Sequence, residues 1–151
     1  MKRSYPEHPI VGVGAVIVAG GRALLVRRAS EPLLGEWSVP GGMLELGETL
    51  RDGVRREVLE ETGLVVEPGE VLDIFDSIFT DGEGRTQYHY VLIDYLCRPV
   101  SGEATAGTDV SEVRWVVEND LPAMKLRESI EQVARKGLSR EDSLRSAPGN
   151  Q

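Results

Sequence analysis

Residues 42–64 read GMLELGETLRDGVRREVLEETGL, and the acids Glu57, Glu60 and Glu61 stand at i, i+3 and i+4 within it. On an α-helix that spacing gathers three carboxylates onto one side. With about 100° per residue counted from Leu50, Val54 falls at about 40°, Glu61 at about 20°, Glu57 at about −20° and Glu60 at about −80°. Glu57 and Glu61 therefore point where the helix's own apolar stripe points, while Asp52, Arg55 and Leu59 hold the opposite face. An unpaired buried carboxylate costs several kcal/mol, so a plain surface helix would not direct acids that way. Two arrangements relieve the cost. A hard divalent cation, which takes oxygen ligands, can sit among the carboxylates. Alternatively, Arg51 and Arg56, which flank the arc, can pair with them at the helix end.

The flanks of this segment supply its boundaries. Val39-Pro40-Gly41-Gly42 ends a short strand, and its glycines predict a tight turn with close approach of the main chain to a ligand. Gly47-Glu48-Thr49 opens the helix, with Thr49 or Glu48 able to cap free amides, and Gly63 stops it. Gly53 costs about 1 kcal/mol relative to alanine inside a helix, so another backbone is expected to pack on that turn. Further out, Val11–Val18 and Ala23–Arg28 read as strands joined by the hairpin Ala19-Gly20-Gly21-Arg22, and Ala29–Glu36 reads as a loop. Val65-Val66, Val71–Phe79, Thr86–Arg98 and Val113–Val117 read as further strands, with Asp81-Gly82-Glu83-Gly84 as a turn. Ala123–Lys136 has Leu126, Ile130 and Val133 at helical spacing and Gly137 as its stop. Ser139–Gln151 lacks a core pattern, so one domain over residues 1–137 with a disordered tail over 138–151 is expected. Strands split around a helix on each face place the chain in the α/β class, as an α/β/α sandwich with a mixed sheet between helices.

The whole segment resembles the Nudix hydrolase signature: a glycine, five residues, a glutamate, seven residues, then Arg-Glu-aliphatic-any-Glu-Glu-any-Gly-aliphatic. Gly42, Glu48, Arg56, Glu57, Val58, Glu60, Glu61, Gly63 and Leu64 fill every fixed position. The order of the flanking strands is also similar, from about Ile10 to Gly137. The resemblance implies a Mg2+- or Mn2+-dependent pyrophosphohydrolase acting on a nucleoside diphosphate derivative. It implies that Glu57, Glu60 and Glu61 hold the cations with the main-chain carbonyl of Gly41, that Gly41 and Gly42 border the substrate, and that Arg56 orients a glutamate. It gives Glu48 a supporting role, for which a favourable charge at a helix N-terminus is an almost equal explanation. A diphosphate bridge is inert because its oxygens repel a nucleophile, and cations both relieve that repulsion and acidify water. The signature leaves the general base open, as one of the helix glutamates or an acid on a distant loop. Asp109, just before the strand at Val113, lies where many relatives carry an acid, and Glu112 is its rival.

Arg28, at the end of the second strand, matches a position where relatives often set an arginine against a substrate phosphate; a solvated strand-end charge explains it equally well. In Tyr88-His89-Tyr90, strand alternation sends His89 to one face and the tyrosines to the other, for sheet packing or for stacking on a base. Trp37 and Trp115 are expected in the core, and His8 lacks a partner at metal-ligand spacing.

The chain has 151 residues, 17 Lys plus Arg against 25 Asp plus Glu, and a net charge of −8, which excludes nonspecific binding to nucleic acid polymers. Cys97, its single cysteine, excludes an internal disulfide and suits a reducing cytoplasm. No apolar stretch approaches the roughly 20 residues that span a bilayer, and no signal-peptide core follows Met1, so a cytoplasmic protein without a membrane partner is expected. The partner is then a small-molecule nucleotide, ADP-ribose-like or a nucleoside triphosphate. Homodimers are common among relatives, but nothing in the sequence locates an interface. The alternatives are a nucleotide-binding sensor that does not hydrolyse, and an isoprenoid-diphosphate isomerase, for which one cysteine and two histidines are a poor supply of ligands.

Overall fold

The computed structural model describes residues 2–146. Strand β1 (Ile10–Ala19) turns through Gly20-Gly21 into β2 (Arg22–Arg28), and these near-continuous apolar runs form the middle of a seven-stranded mixed sheet. Such runs are what a strand buried on both faces requires. The order is β3 (Trp37–Ser38), β2, β1, β6 (Thr86–Ser101), β5 (Val65–Thr80), with β4 (Gly41–Met43) added to β1 and β7 (Val110–Val117) to β2. β1 lies parallel to β6, and the other pairings are antiparallel. β1 and β2 pair only near their hairpin, at Val18 with Ala23 and Ala19 with Arg22. Beyond it they diverge, β4 takes β1's freed edge, and the sheet opens into a cleft.

Alternation along the strands divides the core into two layers. Val16, Val18, Ala23, Leu25, Leu72 and Leu96 pack under α2 (Glu128–Ser146) and the 3-10 segment Glu118–Met124. Ala15, Ile17, Leu24, Tyr95 and Cys97 pack on the other face under Val54 and Val58 of α1 (Leu50–Thr62). This is the expected α/β/α arrangement.

Both ends of α1 follow its sequence. The Thr49 hydroxyl accepts the Asp52 N–H at 3.2 Å, and Gly63 closes the helix in the left-handed conformation at φ 75°, which costs glycine little. Gly53, however, faces the side chains of Leu44 and Glu48, not another backbone. Gly41 and Gly42 are not in a tight turn with positive φ; they form β4, with the bend at Pro40.

Other expectations are corrected at the edges. β5 is one bulged strand instead of two, and β7 begins at Val110. Residues 118–124 form the 3-10 segment, with Pro122 inside it and Lys125 in the left-handed conformation after it, so α2 starts only at Glu128. Gly137 does not stop α2. A Cβ there would lie 2.4 Å from Val16 Cγ1, so the glycine serves close packing of α2 on β1 and the helix continues to Ser146. The tail expected from residue 138 is therefore helical to 146, and residues 147–151 lie outside the described residues. Among the described residues no helix is long and apolar enough to cross a membrane.

Candidate active site

The cleft left by the split sheet has a volume of about 510 Å3, and Glu57, Glu60, Glu61, Gly41, Gly42, Arg28 and Asp109 all line it. Glu57 is only 9% exposed, pressed against β4 as its angle on the helix requires. A Cβ on Gly42 would lie 2.4 Å from the Glu57 carboxylate, so this position accepts only glycine without moving the acid. Glu61 accepts the Gly41 N–H at 2.9 Å, which ties the helix to the strand beside it.

Arg56 is the electrostatic hub. Its Nε donates to Glu48 Oε2 at 2.7 Å and its Nη2 to Glu48 Oε1 at 2.9 Å and to the Met43 carbonyl at 3.0 Å. Its Nη1 donates to Glu57 at 2.8 Å and to Glu60 at 3.4 Å. The fork-to-carboxylate geometry is one that a lysine could not reproduce. Its strongest effect is on Glu48, whose carboxyl it holds below the ordinary range, while these acids raise the guanidinium's own pKa.

Glu57 and Glu61 behave differently. Burial pushes the Glu57 carboxyl above its usual value, against the pull of Arg56. Burial pushes Glu61 up to about 8; repulsion from Glu57 and Asp109 adds to this, and the Gly41 N–H and Arg28 oppose it. Both acids are held where their negative charge is costly. The carboxylates are drawn to Arg56 and to Gly41, and among the described residues no three Asp, Glu, His or Cys side chains are arranged to hold a metal ion. The donor set is nevertheless all oxygen, and the acids of the cleft outnumber the arginine that pairs with them, so it fits a hard divalent ion in kind.

The loop before β7 carries Asp109 to the same place. Thr105, Gly107 and Thr108 donate backbone N–H groups, each at 2.9 Å, to the terminal carbonyls of Thr62, Glu61 and Glu60. Carbonyls that a helix end leaves open thus anchor the loop. Asp109 itself is left-handed at φ 61°, a conformation aspartate tolerates better than most residues. Glu112, its rival, points elsewhere and pairs with Arg114 at 2.9 Å. Arg28 donates from Nε to the Pro32 carbonyl at 2.7 Å and its charge acts on Glu61.

Tyr90 lines the cleft, and Tyr88 meets Phe79 edge-on at 6.1 Å. Trp37 is only partly core: it packs against the α2 layer and also walls the cleft, with Arg114 over its ring at 4.9 Å. Trp115 packs against the α1 layer, and the Cys97 thiol is buried and pushed up to about 12 by burial. The cleft also holds Arg3, Arg127 and Asp94, of which the sequence pattern marks out neither arginine. The one available signal was an acid, Asp94, inside the apolar run from Val91 to Cys97.

Comparison with known proteins bears on the family and the fold. A family model described as the NUDIX domain matches residues 8–137. An ADP-ribose pyrophosphatase from Methanocaldococcus jannaschii is 34% identical over 117 residues, covering 78% of this chain and 67% of the relative. The crystal structure of a MutT NUDIX hydrolase from Burkholderia pseudomallei superposes with a TM-score of 0.73 at 32% identity, covering 86% of this chain and 98% of the other. The NUDIX domain of Shewanella oneidensis NrtR, crystallised with ADP ribose, superposes with a TM-score of 0.69 at 25% identity, covering 89% and 90% of the two chains.

Proposed function

The chain belongs to the NUDIX family of hydrolases, and from that premise we propose that it hydrolyses the diphosphate bond of an ADP-ribose-like nucleotide or a nucleoside triphosphate with Mg2+ or Mn2+. The observation that carries this reading is the convergence of Glu57, Glu60, Glu61, Arg28 and Asp109 on one cleft beside the β4 backbone. The names of the M. jannaschii relative and of the ADP ribose complex support the choice of substrate class. A cytoplasmic location and a small-molecule partner belong to the same proposal.

Glu57, Glu60 and Glu61, with the Gly41 carbonyl, would hold the cation. When bound, it supplies neutralisation of the phosphate oxygens and acidification of water. The chain's own residues do the positioning. Arg56 ties Glu57 to Glu48, so Glu57 reaches the cleft in one orientation. Arg28 is the cation that receives a substrate phosphate. Asp109, on a loop tethered to the end of α1, accepts the proton of the attacking water. Water attacks one phosphorus in line, and the second phosphate leaves.

A second reading is a nucleotide-binding sensor that does not hydrolyse, for which the likeness to a NUDIX domain crystallised with ADP ribose gives support. A panel of nucleoside diphosphate derivatives assayed with Mg2+ and Mn2+ separates the two. The hydrolase reading expects turnover that falls by more than about 100-fold in Glu60→Gln and by about 10-fold or more in Asp109→Asn. Binding without turnover across the panel supports the sensor.

A further inference from the structure

Asp94 occupies a position that stability alone does not explain. It is 3% exposed, and its Oδ2 is the only buried side-chain oxygen or nitrogen among the described residues without a hydrogen-bond partner. Its neighbours on the same face of β6, Leu92 and Leu96, are leucines, and Leu96 belongs to the α2 core layer. A leucine at position 94 would continue that pattern, whereas an unpartnered carboxyl loses its hydration without replacement. A buried polar atom left open in this way awaits a partner that the chain does not supply.

The surroundings define that partner. β6 sets Asp94 beside Gly14 of β1, and β4 sets Gly14 beside Gly41. A Cβ on Gly14 would lie 2.1 Å from Asp94 Oδ1, so the glycine makes the room in which the carboxyl lies. Asp94 stands two strands from Gly41 with its carboxyl leaning over Gly14, on the face of the sheet that α2 covers, whereas Glu57 reaches Gly42 from α1. Trp37, Val39, Phe75, Tyr90 and Leu92 wall the cleft around Asp94, flat and apolar surfaces suited to a base rather than to a sugar.

We propose that Asp94 selects the substrate's nucleobase: its carboxylate, in the wall of the cleft, accepts a hydrogen bond from an exocyclic amine, so that adenine is preferred to hypoxanthine, which carries an oxygen there. The inference rests on the nucleotide reading given above. It concerns specificity, and the reacting phosphates are handled elsewhere in the cleft.

Calorimetric binding of ADP and IDP at pH 8.5 to the full chain and to Asp94→Asn tests it, alongside turnover of ADP-ribose and its hypoxanthine counterpart. An ionised carboxylate can only accept, whereas a carboxamide both donates and accepts. The wild type should favour the adenine ligand, and Asp94→Asn should move the adenine-to-hypoxanthine ratio at least tenfold toward hypoxanthine. Asp94→Leu, which can do neither, should bring the ratio toward one. A ratio unchanged in Asp94→Asn overturns the inference whatever happens to overall turnover. A change seen only between ribose and 2′-deoxyribose ligands overturns it too, because the contact is then with the sugar. Binding that follows base identity without any turnover would sink the hydrolase and leave this contact standing.

Discussion

Gly42 and Glu57 are read differently in one dimension and in three. The helical angle of Glu57 is enough to aim it at the interior, and its 9% exposure follows. What the angle cannot give is the partner surface, a glycine fifteen positions earlier whose missing Cβ leaves the acid its place. Gly42→Ala should therefore displace Glu57 and lower kcat at least about tenfold while the protein stays folded, as a melting curve run beside the assay would show. A variant of full activity would mean that the position of Glu57 is unimportant. Asp94 escapes sequence reading for a related reason. An acid in an apolar strand announces a conflict, but its meaning depends on which strands flank it, and those come from elsewhere in the chain.

Elements whose signals are local are the legible ones. α1 shows its cap, its stripe and its stop in consecutive residues, and its bounds agree with them. Thr49→Ala should cost about 1 kcal/mol by freeing the Asp52 N–H, lowering the melting midpoint by roughly 2–4 °C; an unchanged midpoint would show that another group caps the helix. Gly137 shows the limit of such signals. A glycine near a helix end reads as a stop, but here it admits Val16 of a strand 121 positions away in sequence, a contact that no helical pattern encodes. Pro122 shifts the start of α2 in the same way, by stabilising a separate 3-10 segment that Leu121 and Met124 bury.

Across the whole molecule, the two-layer core was legible because β1 and β2 are apolar at both parities, whereas the split that opens the cleft depends on pairings between distant strands. Burying acids in that cleft makes stability depend on pH. Burial, with Asp73 adding repulsion, raises Asp94 from 3.8 to about 7, so the folded chain keeps a proton that the unfolded chain releases. Its contribution is therefore fully present below about pH 4 and is lost as pH rises through about 7, to the extent of roughly 4 kcal/mol. Denaturant unfolding at pH 5 and pH 8 should show Asp94→Asn gaining on the wild type at the higher pH; equal differences at both would show that Asp94 ionises normally. Glu61, raised to about 8, adds to the same trend, and a cation in the cleft would reverse it by stabilising the charged forms. Titration calorimetry with Mg2+ and Mn2+, in the presence of ADP and with the heat of the same metal added to ADP alone subtracted, tests that directly. Saturable uptake that disappears when Glu57, Glu60 and Glu61 are all changed to glutamine is expected. No uptake, or uptake that survives the triple change, would show that these acids are not there for a metal.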